Sequence, residues 1–100
     1  MLLYNVTIGI DKEVEGEWLQ WMKSVHIPAV LATGMFVSHR IFKVLGDDDE
    51  NTSSYSVQYF AERIENVNHY LEVYAPALIE EHRKKFNDRH VAFRTLLEEV

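Results

Sequence analysis

Arg94, Asn5 and Gln58 are the residues whose types could jointly hold an anion. A guanidinium is always charged and carries five donors in a rigid fork, so a buried one needs an acid, an anionic ligand or water. Carboxamides can supply further hydrogen bonds or steady a developing oxyanion. The three residues fall in separate β-forming segments. Alternation gathers them on one sheet face, the one away from the helices, if Phe93 and Thr95 point towards the helices. A ligand site and a dimer-interface network remain the two alternatives for this group. His26 adds an imidazole that could move protons near neutral pH. It ends an apolar stripe just before Ile27-Pro28, so it could equally bond the free carbonyls of a helix end. Trp21, His39 and Tyr59 complete the candidate ligand contacts.

Other chemistries find no matching pattern. His39, His69, His82 and His90 have no metal-ligand spacing, and Glu65 with His69 fits a surface pair. Asp47-Asp48-Asp49-Glu50 lacks the glycine and terminal glutamate of a calcium loop, and reads as a solvated hairpin tip. Without cysteine there is no disulfide, thiolate site or Cys nucleophile. The four glycines form no phosphate-binding loop. Tyr55-Ser56-Val57-Gln58-Tyr59-Phe60 is similar to the aromatic strand of RNA-recognition sheets but lacks its basic and glycine positions. The net charge of −6 also has the wrong sign for phosphate backbones or anionic lipid. No apolar run approaches the ~20 residues of a membrane span, and Met1 to Asn5 carry no basic residue of a secretory signal. The expectation is a cytoplasmic protein with no metal, organic cofactor, nucleic-acid or membrane partner.

The elements that must position these residues are legible as patterns. Leu2, Tyr4, Val6, Ile8 and Ile10 alternate with Asn5, Thr7 and Gly9, which predicts a half-buried strand. Asp11 is placed to cap a helix whose apolar stripe is Val14, Trp18, Trp21, Met22 and Val25. That helix should end near His26, with a new short turn from Pro28 to Thr33 closed by Gly34. Strands follow at 35–45 and 54–60, joined as a hairpin through a polar loop. A second helical stripe runs Ile64, Val67, Leu71, Tyr74 and Leu78, and a last strand spans 90–97. His26-Ile27-Pro28-Ala29-Val30-Leu31 echoes Tyr74-Ala75-Pro76-Ala77-Leu78-Ile79 at a constant offset, as two similar halves would.

The order βαββαβ predicts one ferredoxin-like α+β domain over 1–100, a four-stranded antiparallel sheet with both helices on one face. The helix face should take Tyr4, Val6, Ile8, Tyr55, Val57, Tyr59, Val91 and Phe93. The other face should carry Leu3, Asn5, Thr7, Ser56, Gln58, Phe60, Ala92, Arg94 and Leu96, with strand two of undecided parity. Such a face is too apolar to stay wet, so two copies packing sheet to sheet are expected.

Trp18-Leu19-Gln20-Trp21-Met22, His26-Ile27-Pro28-Ala29-Val30, Thr33-Gly34, Gln58-Tyr59-Phe60, Ala75-Pro76-Ala77-Leu78 and Phe93-Arg94-Thr95-Leu96-Leu97-Glu98 together resemble a small bacterial family of unknown function. That family is similar in turn to the dimeric α+β barrel superfamily, which includes cofactor-free antibiotic-biosynthesis monooxygenases. The resemblance implies a homodimer with a cavity between helices and sheet or inside the joint barrel. It implies no particular reaction, because the superfamily hosts many. The expectation is a small-molecule-binding homodimer, with a cofactor-free oxygenase or isomerase of a polar-aromatic metabolite as the alternative. In the enzymatic case His26 or a tyrosine would move protons while Asn5, Gln58 and Arg94 steady an oxyanion.

Overall fold

Antiparallel pairing around a central strand sets the architecture. Strand β1 (Leu2–Asp11) pairs on one side with β3 (Thr52–Ala61) and on the other with β4 (His90–Glu98), and β2 (Ser38–Lys43) pairs with β3. The order is therefore β2-β3-β1-β4 in one ferredoxin-like sheet. The computed structural model describes residues 1–46 and 49–100, so Asp47 and Asp48 of the acidic hairpin tip lie outside the described residues. Leu2, Tyr4, Ile8 and Ile10 of β1 and Tyr55, Val57, Tyr59 and Ala61 of β3 are buried on one face. Two helical arms cover that face with Trp18, Met22, Ile27, Val30, Val67, Tyr70 and Phe86.

Each arm is one helix interrupted by a wider turn. The first runs α1 (Glu15–Trp21), a π-helical turn (Met22–His26) and α2 (Ile27–Ala32); the second runs α3 (Ile64–His69), a π-helical turn (Tyr70–Tyr74) and α4 (Ala75–Lys85). Proline explains both interruptions, since it has no N–H for the regular ladder and crowds the carbonyl before it. The residue preceding each proline donates five residues back instead of four: Ile27 N–H to Met22 O, and Ala75 N–H to Tyr70 O. The sequence echo thus corresponds to two copies of one device. The helix therefore does not end near His26, because the wide turn absorbs Pro28 and the arm continues. Gly34, at φ 77°, ends the arm in the left-handed conformation that glycine accepts without strain.

Four expectations need correcting. Strand β4 has the opposite parity. Its register against β1, with Ile10 facing His90, Ile8 facing Ala92 and Val6 facing Arg94, turns His90, Ala92, Arg94 and Leu96 to the helix side. Val91 and Phe93 turn away from it. Apolar alternation misled here because β4 is an edge strand that stays largely exposed on both faces beyond Ala92, so little core pressure selects its inward residues. Second, Asp11 does not cap the helix, which starts at Glu15 without a side-chain cap. Its carboxylate accepts from Glu13 N–H at 2.9 Å and from Arg89 Nε at 2.9 Å. Third, the second arm keeps Val67, Tyr74 and Leu78 of its predicted stripe against the core but not Ile64 and Leu71. Val67, Tyr70, Ala75, His82 and Phe86 are buried, whereas Ile64 and Leu71 are exposed. Fourth, His26 lies within a continuous arm and caps no helix end. Strand two's parity is resolved: His39, Ile41 and Lys43 face the helix side, opposite Tyr59, Val57 and Tyr55.

The uncovered sheet face changes character as a result. Phe42, Val91, Phe93 and Leu97 are exposed on it, around a polar centre. In that centre Ser56 Oγ donates to Asn5 Oδ1 at 2.6 Å, Asn5 Nδ2 to Thr7 Oγ1 at 2.9 Å, and Gln58 Nε2 to Ser56 Oγ at 3.2 Å. Ile10, with no exposed surface, contrasts with Leu71 at 38%. Ile10→Ala should destabilise the fold by roughly 2–5 kcal/mol, and Leu71→Ala by less than about half of that. Urea unfolding of the two variants checks this, and comparable losses would restore the predicted helical stripe.

Candidate functional site

The inverted parity of β4 builds the site. Between sheet and arms lies a cavity of about 250 Å³. Val6, Ile8 and Val57 give it an apolar floor, and Arg94 enters from β4. The first arm's wide turn contributes Met22 and His26; the second arm contributes Tyr70, Ile79, His82 and Arg83. Tyr4 and Tyr59 project from the sheet, and His90 from the start of β4. Arg94 is exposed and Ala92 half-exposed, so the cavity opens along the β4 edge.

Around Arg94 the side chains form two banks. At one end His82 is seated by Trp18, whose indole Nε1 donates to His82 Nε2 at 2.9 Å in the buried core. A histidine that accepts at Nε2 is neutral and carries its proton on Nδ1. Its ring lies 4.5 Å from His90 and 5.8 Å from His26, centroid to centroid. His90 Nδ1 meets the Phe86 carbonyl at 2.8 Å. A carbonyl only accepts, so His90 Nδ1 carries a proton and donates it there. His26 stacks on Trp21 at 5.3 Å, and its Nδ1 is buried without a hydrogen-bond partner among the described residues. At the other end stand the phenols. Tyr4 packs on Tyr59 at 6.3 Å and on Tyr70 at 5.9 Å, and the Tyr59 hydroxyl is buried without a partner.

Burial and Arg94 set the charge states. Burial, with Arg94 and no acid nearby, pushes His26 down to about 4. Burial, the neighbouring His90 and His26, and Arg94 push His82 down to about 3. Burial raises Tyr59 and Tyr70 well above the usual phenol value. Burial also raises Tyr4, and the charge of the nearby Arg94 guanidinium works in the other direction. Among the described residues no carboxylate lines the cavity. Arg83 forms a two-pronged pair with Glu80, at 2.8 and 2.6 Å. Among the described residues Arg94 pairs with no carboxylate. At neutral pH the cavity therefore holds the Arg94 cation, the neutral imidazoles of His26 and His82 and neutral phenols, and it suits an anion.

The structure gathers three of the predicted site residues, His26, Tyr59 and Arg94, around one cavity. Trp21 stands behind His26 as its stacking partner. Asn5 and Gln58 lie on the far face of the sheet, so Arg94 does not share a site with them, contrary to the strand-four alternation read from the sequence. His39 is exposed on β2, outside the cavity. Sequence reasoning left out Tyr4, Tyr70, His82 and His90. The four-residue spacing of Leu78, His82 and Phe86, and the alternation of His90, Ala92 and Arg94, are the signals that could have pointed to them.

The chain belongs to the family described as domain of unknown function DUF4286, whose model matches residues 1–100. No curated protein matches it. Among solved structures it is similar to a dimeric ferredoxin-like protein from an uncultured marine organism, at 15% identity and TM-score 0.74, covering 100% of this chain and 95% of that one. It is also similar to a candidate antibiotic biosynthesis monooxygenase from Deinococcus radiodurans, at 14% identity and TM-score 0.70, covering 100% and 93%. SnoaB, a cofactor-independent oxygenase from Streptomyces nogalater solved as a point mutant, aligns at 12% identity and TM-score 0.57, covering 98% and 92%. Identities this low carry the fold and not the chemistry. No helix among the described residues is long and apolar enough to cross a membrane.

The two depressed imidazoles give stability a pH dependence with a definite sign. Both lie below the ordinary histidine value of 6.5 in the fold, so the unfolded chain binds more protons between that value and about 4. Their contribution is present in full above pH 6.5 and is lost as pH falls towards 4. Each group adds at most about 1.4 kcal/mol per pH unit to the slope. His26→Phe should leave stability at pH 7 little changed, since Nδ1 has no partner to lose, and should flatten the acid limb. Denaturant melts at several pH values check this, and an unaltered acid slope would contradict the buried neutral state of His26.

Proposed function

We propose that this DUF4286 member is a cytoplasmic homodimer that binds a small, anionic, ring-bearing molecule in the cavity between sheet and helical arms. The observation that carries this reading is Arg94, a cation without a carboxylate partner among the described residues, at the mouth of a cavity those residues line without an acid, in a chain of net charge −6. A guanidinium facing a cavity gains most from a charge-assisted hydrogen bond, and here an acceptor from outside the chain supplies it. The unmet His26 Nδ1 and Tyr59 hydroxyl add a second reason, because buried polar atoms normally have partners. Size limits the ligand. An apolar cavity of ~150 Å³ accepts benzene, so one of about 250 Å³ has room for a substituted ring.

The dimer is supported by the exposed Phe42, Val91, Phe93 and Leu97 on the uncovered sheet face, and by the dimeric relative of the same fold. A second copy laid on that face leaves the cavity, on the opposite side of the sheet, open to ligand. The cytoplasmic placement is supported by a cysteine-free sequence with an ordinary globular share of charged residues.

Benzoate should raise the melting temperature in proportion to the logarithm of its excess over Kd, whereas the neutral benzamide should not. Arg94→Met should abolish the difference while the protein still melts cooperatively. Equal responses to the two compounds would remove the anion site. Sedimentation of the wild type should give twice the 11.7 kDa chain mass, and Phe93→Glu should give a monomer. A monomeric wild type at micromolar concentration would contradict the covered sheet.

A further inference from the structure

We propose that the ligand enters as a hydroxylated ring, a phenol or a cyclic enol, and that the cavity converts it to its oxyanion. This rests on the anion-pocket reading above and adds the chemical class. A carboxylate would satisfy Arg94 but offers only acceptors. His90 also lines the cavity, and with Nδ1 turned to the Phe86 carbonyl its singly protonated ring offers Nε2 as an acceptor. An O–H group is the ligand chemistry that matches both. Its hydrogen is received at the imidazole end and its oxygen, once ionised, is held by the guanidinium.

The balance is simple. The ligand O–H bond breaks, the electron pair stays on oxygen, and the proton passes by way of His90 Nε2 to solvent at the open β4 edge. No oxidant, reductant or co-reactant takes part. Two effects oppose one another at such an oxygen. Burial disfavours the charged form, and a guanidinium together with neutral donors favours it. The cavity's own phenols show both. Tyr59, deep and away from Arg94, is governed by burial, whereas at Tyr4 the guanidinium works against burial. A ligand oxygen at the exposed fork of Arg94 keeps the favourable effect and sheds much of the burial, and it gains the Tyr4 hydroxyl as a donor. Among the described residues nothing acidic faces it. Across the cavity stand His26 and His82, both neutral, together with neutral Tyr59 and Tyr70, and Arg83 is paired with Glu80. The floor of Val6 and Val57 excludes water from the ring.

The probe is 4-nitrophenol, whose phenolate absorbs visibly, titrated over pH with and without the intact protein. The expected result is a bound pKa lower than the free one by at least about one unit, a tenfold gain in ionisation, with a proton released to weakly buffered solution on binding. Arg94→Met should bind the probe without the shift, and Arg94→Lys, which keeps the charge, should retain part of it. Benzoate is the reference ligand. If benzoate binds and nitrophenol either does not bind or binds with an unchanged or raised pKa, the ionising pocket is overturned and the anion pocket stands. If neither compound binds, both fall.

Discussion

Everything described on the helix side of the sheet depends on one register, the antiparallel pairing that sets Val6 against Arg94. A shift of one residue would exchange the two faces of β4. Phe93 and Thr95 would then point under the helical arms, and the guanidinium would meet the Asn5 and Gln58 carboxamides. The register observed does the opposite. It places a charge beside two neutral histidines and a phenol, and it sends Val91 and Phe93 to the face that a second copy is proposed to cover. One choice of parity therefore creates both the cavity that Arg94 enters and the apolar patch.

The second constraint is the Trp18–His82 hydrogen bond at 2.9 Å. It joins the two arms across the core and fixes the tautomer of a buried imidazole. It also determines what the cavity can do, because an imidazole that accepts from tryptophan has no lone pair left to act as a base. With His26 and His82 pushed well below neutrality, these two imidazoles are uncharged at physiological pH. Among the described residues that line the cavity, Arg94 is then the full charge without a carboxylate partner, since Arg83 pairs with Glu80. The prolines support this arrangement. By forcing a wide turn into each arm, Pro28 and Pro76 set Met22 and Tyr70 against the sheet and bring His26 over the cavity.

Most of the frame was legible in the sequence, because strong alternation in β1 and β3 and the repeated Pro-containing segments are local signals. Tyr4, Tyr55, Val57 and Tyr59 fell on the face expected of them. Three things were not legible, each for a physical reason. The parity of β4 is set by hydrogen bonding to β1 and not by its own hydropathy, since an edge strand that stays largely exposed tolerates polar residues inward. In the second arm Tyr70, three residues after Val67, takes the core place expected of Leu71, and the wide turn at 70–74 follows it. The tautomers of His82 and His90 depend on Trp18 and the Phe86 carbonyl, of which the first is distant in sequence. The candidate site was therefore half visible. His26, Tyr59 and Arg94 could be named, but what stood beside them could not.

Proton–proton nuclear Overhauser effects from the Arg94 side chain test the central claim most directly, because they report its face without any ligand. The account predicts cross-peaks from the Arg94 methylenes to the Tyr4 ring and to the imidazoles at the cavity, with none to the Asn5 or Gln58 side chains. Cross-peaks from Arg94 to Asn5 and Gln58, with Phe93 reporting on Tyr4 instead, would contradict the register and with it the pocket.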